Sequence, residues 1–386
     1  MRICYTGLQE ENMIYHTFQG EKLSALGFGA MRLPVIDGDD ARIDEAAAAE
    51  MVSYALSHGI NYFDTAWAYH GGNSEPVLGK ILQQYPRETY FLSTKFPGFN
   101  PLNADKVEEI FEEQLKRTGA GYFDFYLLHN VLEADIDTYL NPEYGIVSYL
   151  KKQKALGRIR HLGFSAHGSL STIRRFLEVY GRDMEFCQLQ VNWVDWSYQG
   201  AEEKVELLRS YGIPLWVMEP MRGGKLSRLP EEMEKKLRTL RPEESTAAWS
   251  FRFIQSLDSA LLTLSGASTL SQLAENIAVF EEEKPVSDEE KQVLFEIARE
   301  ISRGVPCTGC RYCIPNCPQN LDIPRLISIY NDEVFSDGGR ITRLHLSALP
   351  ADRQPASCIS CGECTNMCPQ GISVPDILRD FVKRLG

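Results

Sequence analysis

Residues 90–129 read YFLSTKFPGFNPLNADKVEEIFEEQLKRTGAGYFDFYLLH, and this stretch decides the fold. Its ends, Tyr90 to Lys95 and Phe123 to His129, are short apolar runs of strand-forming residues set off by Pro and Gly. Between them Ala104 to Arg117 is amphipathic with a helical period. Strand, helix, strand in that order is a βα unit whose strands run parallel, because the helix carries the chain back to the starting edge.

Working outward, the same alternation fills residues 23 to 280. Eight strands are expected: Leu23 to Leu33, Asn61 to Thr65, Tyr90 to Lys95, Phe123 to His129, Ile159 to Ser165, Phe186 to Asn192, Pro214 to Glu219 and Ala260 to Gly266. Helix-like stretches include Ile43 to Ser57, Thr172 to Tyr180 and Leu270 to Phe280. Eight units match a closed (β/α)8 barrel, and no GxGxxG follows the first strand to support an open doubly wound sheet. The expected organisation is an extension over 1–22, the barrel over 23–280, a linker helix within 281–304 and a second module over 305–386.

The 386 residues are 44% hydrophobic and 24% charged, enough apolar material for a sizeable core. A net charge of −13 without any basic run argues against nucleic acid as a partner. No apolar run reaches the roughly 18 residues that would span a bilayer, and Met1 to Asn12 lacks a hydrophobic signal core. The expected location is the cytoplasm, with no membrane partner; nothing in the sequence sets the oligomeric state.

Eight of the ten cysteines crowd into residues 307–368, leaving Cys4 in the extension and Cys187 as a small buried strand residue. Residues 307–323 read CTGCRYCIPNCPQNLDI and residues 358–374 read CISCGECTNMCPQGISV, each running on into a proline and an apolar helix start. This is an internal repeat with C-x2-C-x2-C-x3-C-P in both halves, the spacing that ligates iron–sulfur cubes. Paired zinc sites are the competing reading, but they have no use for the third cysteine or the C-P ending. In such runs the fourth cysteine reaches across to the other cluster. One [4Fe-4S] cluster is therefore assigned Cys307, Cys310, Cys313 and Cys368, and the second Cys358, Cys361, Cys364 and Cys317. The intervening residues look mostly helical, as in an α-helical, ferredoxin-like domain.

Barrel chemistry sits at the C-terminal ends of the strands. There the second strand offers Asp64, with Tyr69 five residues on, the third Lys95 and the fourth His129. An acid, a phenol, an ammonium and an imidazole at one mouth are what carbonyl reduction asks for. Tyr69 would give a proton to the carbonyl oxygen. A free tyrosine has a pKa of about 10, so Lys95 is expected to stabilise its phenolate, Asp64 to hold Lys95, and His129 to orient the carbonyl.

These residues lie in the motifs FDTAWAY (63–69), STK (93–95) and LLH (127–129); through these, with GFS (163–165) and GASTLSQLAEN (266–276), Leu23 to Phe280 resembles the aldo/keto reductase superfamily. With the cysteine tail and VMEPMRGG (217–224), the whole chain resembles its ferredoxin-like, [4Fe-4S]-containing branch. The resemblance implies a nicotinamide cofactor, NADP(H) or NAD(H). Ser165 and Gln188 would hold its carboxamide, Arg222, Gly223 and Gly224 would lie near the pyrophosphate, and Glu275 and Asn276 near the adenine. The chain departs from the family pattern at Ala166, at Met218, and at Gly266 and Gln272, where NADPH-selective members carry basic residues.

Hydride moves two electrons and a cluster one, and the common mediator is a flavin, for which the sequence shows no separate domain. The leading reading is an iron–sulfur oxidoreductase acting on a small carbonyl or alcohol, with a ferredoxin-like electron-transfer partner conceivable. The competing one is a redox-sensing or electron-transfer protein with a catalytically inert barrel. The loops Phe96 to Asn103, Val131 to Tyr144 and Asn192 to Gln199 read as irregular, with Trp67, Trp193 and Trp196 as pocket candidates.

Overall fold

The computed structural model describes residues 12–386 except 134, 303, 306, 308–310, 312, 337–339, 369 and 370. Cys4 and Cys310 lie outside the described residues. The chain divides into two compact units between Gln292 and Val293, inside the helix Asp288–Ile301.

The first unit begins with an antiparallel hairpin, β1 (Tyr15–Phe18) and β2 (Glu21–Ser24). Eight parallel strands follow: β3 (Leu26–Gly29), β4 (Tyr62–Asp64), β5 (Phe91–Phe96), β6 (Phe123–Val131), β7 (Ile159–Ala166), β8 (Cys187–Gln190), β9 (Leu215–Met218) and β10 (Ala260–Ser265). They close in sequence order, with β10 pairing back onto β3. The first expected strand, Leu23 to Leu33, is in fact two pieces: β2 belongs to the hairpin, and only β3 enters the barrel. Cys187 opens β8 and is fully buried.

Period-two alternation decides what fills the barrel. Tyr62, Phe125, Leu127, Phe186, Trp216, Leu262 and Leu264 point inward and form one apolar cluster with Phe18 and Leu23 of the hairpin. Tyr62, Phe125, Phe186, Trp216 and Leu262 lie toward the starts of their strands, so the hairpin plugs the N-terminal end. Phe18 meets Trp216 and His161 edge-on, each at a centroid distance of 5.0 Å. Gly27 fits closely here, since a Cβ would lie 3.0–3.2 Å from the Leu264, Leu262 and Tyr62 side chains, which would have to give way. One step outward, Tyr126 faces the helix Val107–Thr118 and packs against Phe111 at 5.3 Å.

In the second unit the helices Ile323–Ser336 and Val374–Leu385 each follow a cysteine run, and Leu321, Ile323, Ile327, Ile372, Val374 and Leu378 share one apolar cluster with the cysteines. Equivalent positions of the repeat lie 51 residues apart. Tyr330 and Phe381 are such a pair, and their rings meet at 5.6 Å, as two copies related by a local two-fold would. Among the described residues no helix is long and apolar enough to cross a membrane.

Glu185 clips β7 to the start of β8, accepting from the Leu162 N–H at 2.8 Å and from Lys154, with His161 Nδ1 at 3.4 Å. Burial opposes its ionisation, but His161, Lys154 and the Leu162 N–H outweigh this and bring the carboxyl down from 4.5 to about 2. A carboxyl held low when folded contributes stability that is complete above its unfolded value and drains away as pH falls through about 2. The variant Glu185→Gln should therefore lose up to about 3 kcal/mol at neutral pH and show a smaller drop between pH 5 and 3 than wild type, by urea unfolding. Equal acid sensitivity in both proteins would show that the clip does not stabilise the barrel.

Candidate active site and metal centre

The alternation that puts apolar groups at the plugged end puts polar groups at the other. Asp64 follows Tyr62 at a two-residue step, Lys95 follows Phe91 and Ser93, and His129 follows Phe125 and Leu127, all on the inward face. Lys95 is fully buried, and its Nζ donates to Asp64 Oδ2 at 2.6 Å, to the Thr65 carbonyl at 2.8 Å and to the Tyr69 hydroxyl at 3.4 Å. Three donors meet three acceptors, which is the whole capacity of an ammonium. Gln114 holds the Lys95 carbonyl from outside at 3.0 Å, and also donates to buried Glu75 at 2.6 Å.

Tyr69 begins the short turn Tyr69–Gly72 after β4. The buried His70 ring pins that turn, accepting from the Leu33 N–H at 3.1 Å through Nε2 and donating to the Asp40 carbonyl at 2.8 Å through Nδ1. The His129 ring stands edge-on between Tyr69, at 6.0 Å, and Phe99, at 5.2 Å. Tyr139, in the short helix Ile136–Leu140, donates its hydroxyl to the His129 carbonyl. The structure thus brings the whole expected quartet together.

The electrostatics differ from expectation at one group. Burial pushes the Tyr69 phenol above its usual range, and Lys95 offsets only part of that, so the hydroxyl keeps its proton. Burial alone would lower the Lys95 ammonium, but Asp64 and Tyr69 outweigh it and keep the charge in place. Burial, with Lys95 and His167 nearby, drives His129 well below 6.5, which makes it a neutral imidazole able to donate one hydrogen bond.

Ser165 and Gln188 face inward as register partners across β7 and β8. Gln188 is buried, its Nε2 3.7 Å from Met218 Sδ and its Oε1 without a hydrogen-bond partner among the described residues. Such an orphaned acceptor suits the N–H of a carboxamide. Ser165 Oγ accepts from the Asn130 N–H at 2.7 Å. Gly223 and Gly224 take positive φ, +66° and +90°, in the loop after β9. Arg222 does not offer that loop the open charge expected of it: it is buried, with Nε 3.3 Å from Asp195 Oδ1, so its charge is balanced within the protein.

Gln272, at the position where NADPH-selective members carry a basic residue, accepts through Oε1 from the Ser268 N–H at 2.9 Å. The adenine candidates separate: Glu275 is exposed, and Asn276 is buried, donating to Ser265 Oγ at 2.8 Å and tying its helix to β10. The three loops read as irregular contain the short helices Pro101–Asn103, Ile136–Leu140 and Asp195–Tyr198. All three pocket tryptophans have packing partners: Trp67 lies under Arg117 at 3.5 Å, Trp193 donates to Ser250 Oγ at 3.1 Å, and Trp196 meets Phe253 at 5.6 Å. Sequence reasoning passed over Glu219 and Arg32, whose side chains approach to 3.9 Å at the mouth. Their positions just past β9 and β3 were the available signal.

In the second unit Cys317 of the first run lines one cavity with Cys358, Cys361 and Cys364 of the second, beside Leu378 and Pro375. Cys307, Cys313 and Cys368 share the apolar cluster around them. Burial and the neighbouring Cys358 and Cys361 sulfurs raise the Cys364 thiol above its ordinary value, a crowding that bound metal would relieve. Among the described residues no three His, Cys, Asp or Glu converge on a point fit for one metal ion. A cube asks for a wider set, because each thiolate takes a different iron.

The sequence profile of the aldo/keto reductase family matches residues 25–298, and that of the 4Fe-4S dicluster domain matches residues 306–373. "Probable aldo-keto reductase 1" of Glycine max is 33% identical over 214 residues, 53% of this chain and 58% of that protein. The NADH-specific methylglyoxal reductase of Escherichia coli (strain K12) is 27% identical over 225 residues, 53% of this chain and 66% of that protein. The chain thus spans less than two thirds of these relatives' own lengths. Among solved structures, an aldo-keto reductase of Bacillus halodurans in its holo form superposes with a TM-score of 0.60 at 25% identity, covering 74% of this chain and 96% of its own. One from Klebsiella pneumoniae, solved with NADP and acetate, superposes at 0.59 with 18% identity over 75% and 95%, a likeness of fold. An eight-stranded parallel barrel with this mouth, matched over most of the chain, means that the protein belongs to the aldo/keto reductase family, and a 4Fe-4S dicluster domain follows its barrel.

Proposed function

We propose that this chain is an iron–sulfur oxidoreductase that reduces a small carbonyl compound, or oxidises the matching alcohol, with a nicotinamide dinucleotide. The observation that carries the reading is the fully buried Lys95 ammonium, saturated by Asp64, the Thr65 carbonyl and the Tyr69 hydroxyl at the open end of the barrel. Burying a charge so completely costs several kcal/mol, and a purely structural strand end has no need of it.

Gln188 and Ser165 would hold the carboxamide of a nicotinamide, which when bound would supply the hydride. Tyr69 gives its proton to the substrate oxygen; its raised pKa keeps that proton available through neutral pH. Lys95 steadies the phenolate left behind, Asp64 holds Lys95, and neutral His129 donates a hydrogen bond that orients the carbonyl. In the second unit the two cysteine sets would hold [4Fe-4S] clusters, which pass electrons singly. Thiols kept free for metal fit a cytoplasmic setting. The methylglyoxal reductase among the relatives suggests small aldehydes as the first substrates to try.

With methylglyoxal and simple aldehydes, Tyr69→Phe should lower kcat by about 10²–10⁴-fold while the dinucleotide Kd stays unchanged. A variant as fast as wild type would remove the proton-donor role. Because His129 is held neutral and Tyr69 protonated, kcat/KM for reduction should stay level from about pH 6 to about pH 9. An acid limb centred near the ordinary histidine value would mean that His129 titrates freely. If Cys317 belongs with the second run, Cys317→Ala and Cys361→Ala should abolish the same cluster signal in electron paramagnetic resonance of anaerobic protein reduced with dithionite, each halving iron and labile sulfide. Cys317→Ala losing instead the signal that Cys313→Ala loses would refute the crossed assignment.

A further inference from the structure

We propose that Arg32 is a phosphate-binding residue of the barrel mouth, receiving the pyrophosphate of the dinucleotide; this rests on the nicotinamide reading above. Arg32 ends the short turn Ala30–Arg32 that follows β3. In the barrel β3 neighbours β10, and β10 neighbours β9. The Arg32 side chain crosses the top of β10 toward the loop after β9. Its Cδ lies 3.4 Å from where a Cβ on Gly266 would stand, and its Nη2 lies 3.1 Å from the corresponding point on Gly223. A side chain at Gly223 would press on the guanidinium, whereas one at Gly266 would only touch the stem.

The guanidinium is braced from one side. Glu219 Oε1 stands 3.9 Å from Nη2, a distance that attracts and orients without closing a hydrogen bond. The Arg32 side chain is 38% exposed, whereas that of Arg222 is 3% exposed and matched by Asp195. Of the two, Arg32 is the cation with a face open to a ligand. Beside it the loop at Gly223 and Gly224 runs with positive φ and without side chains, its Gly224 N–H given to the Met221 carbonyl at 2.9 Å and its Gly223 N–H to the Glu219 carboxyl, so the donors open to a ligand are those of Arg32. A planar fork next to such a loop suits a phosphate group held by two parallel hydrogen bonds. Gly266 and Gln272 bring no positive charge to the end of β10, and Arg32 supplies one from the far side of that strand. The pyrophosphate is common to NADH and NADPH, so both should depend on Arg32 alike.

The test is titration of NADH and of NADPH into anaerobically purified full-length protein, followed by tryptophan fluorescence, for wild type, Arg32→Gln and Arg32→Lys. Arg32→Gln should raise both Kd values by on the order of 10–100-fold and flatten their dependence on salt. Arg32→Lys, keeping the charge without the fork, should recover part of the affinity and the salt dependence. Unchanged Kd values in Arg32→Gln, or a loss confined to NADPH, would overturn the assignment to the pyrophosphate. Weaker binding by Arg32→Gln with wild-type salt dependence would do the same, since a structural defect leaves the charge effect intact. A wild-type protein that binds neither dinucleotide would overturn the nicotinamide reading itself, and the assignment with it.

Discussion

Eight strands closed into a cylinder enclose a space too narrow for solvent, so every second residue must be chosen to fill it. In this chain the filling is strongly divided. Toward the strand starts it is aromatic and aliphatic, sealed by Phe18 and Leu23 of the hairpin, with Tyr62, Phe125, Phe186 and Trp216 in one cluster. Toward the strand ends the same inward rows carry Asp64, Lys95, His129, Ser165 and Gln188. The dense layer below excludes water from beneath the polar one. That exclusion makes a buried ammonium both costly and chemically useful.

The polar layer is held from outside as well as from below. Gln114 fastens the Lys95 carbonyl, His70 fastens the turn bearing Tyr69, and Tyr139 fastens the backbone at His129. Each of these reaches the site from a different helix or loop, so a shift of one βα unit would be resisted by its neighbours. Rigid backing of this kind lets a phenol, an ammonium and an imidazole keep their separations while ligands come and go. The same residues that hold the geometry also set the proton positions, through burial.

The second unit follows a different constraint. Its helices are too few to build a large core, and the cysteines themselves are part of the apolar cluster between the two repeats. Cys317 lies with the sulfurs of the opposite run, while Tyr330 meets its repeat equivalent Phe381 across the unit. Metal held between the halves would tie folding to its presence in both repeats.

The amino-acid order alone announces the barrel, because parallel strands need long helical crossovers and that rhythm repeats eight times, and it announces the 4Fe-4S domain, because the spacing of its cysteine runs is local. The quartet was also legible, three members standing near strand ends and Tyr69 in the turn after β4, all on the side where side chains converge. What the order could not show was anything fixed by neighbours distant in sequence. Burial outweighs Lys95 at the Tyr69 phenol, Asp195 neutralises Arg222, and Trp193 turns toward Ser250. Residues 15–22, read as an extension, seal the barrel because only the closed cylinder creates a hole for Phe18 to fill. Spacing along the chain fixes which groups are available, whereas their charge, direction and exposure arise from packing between segments that only tertiary structure brings together.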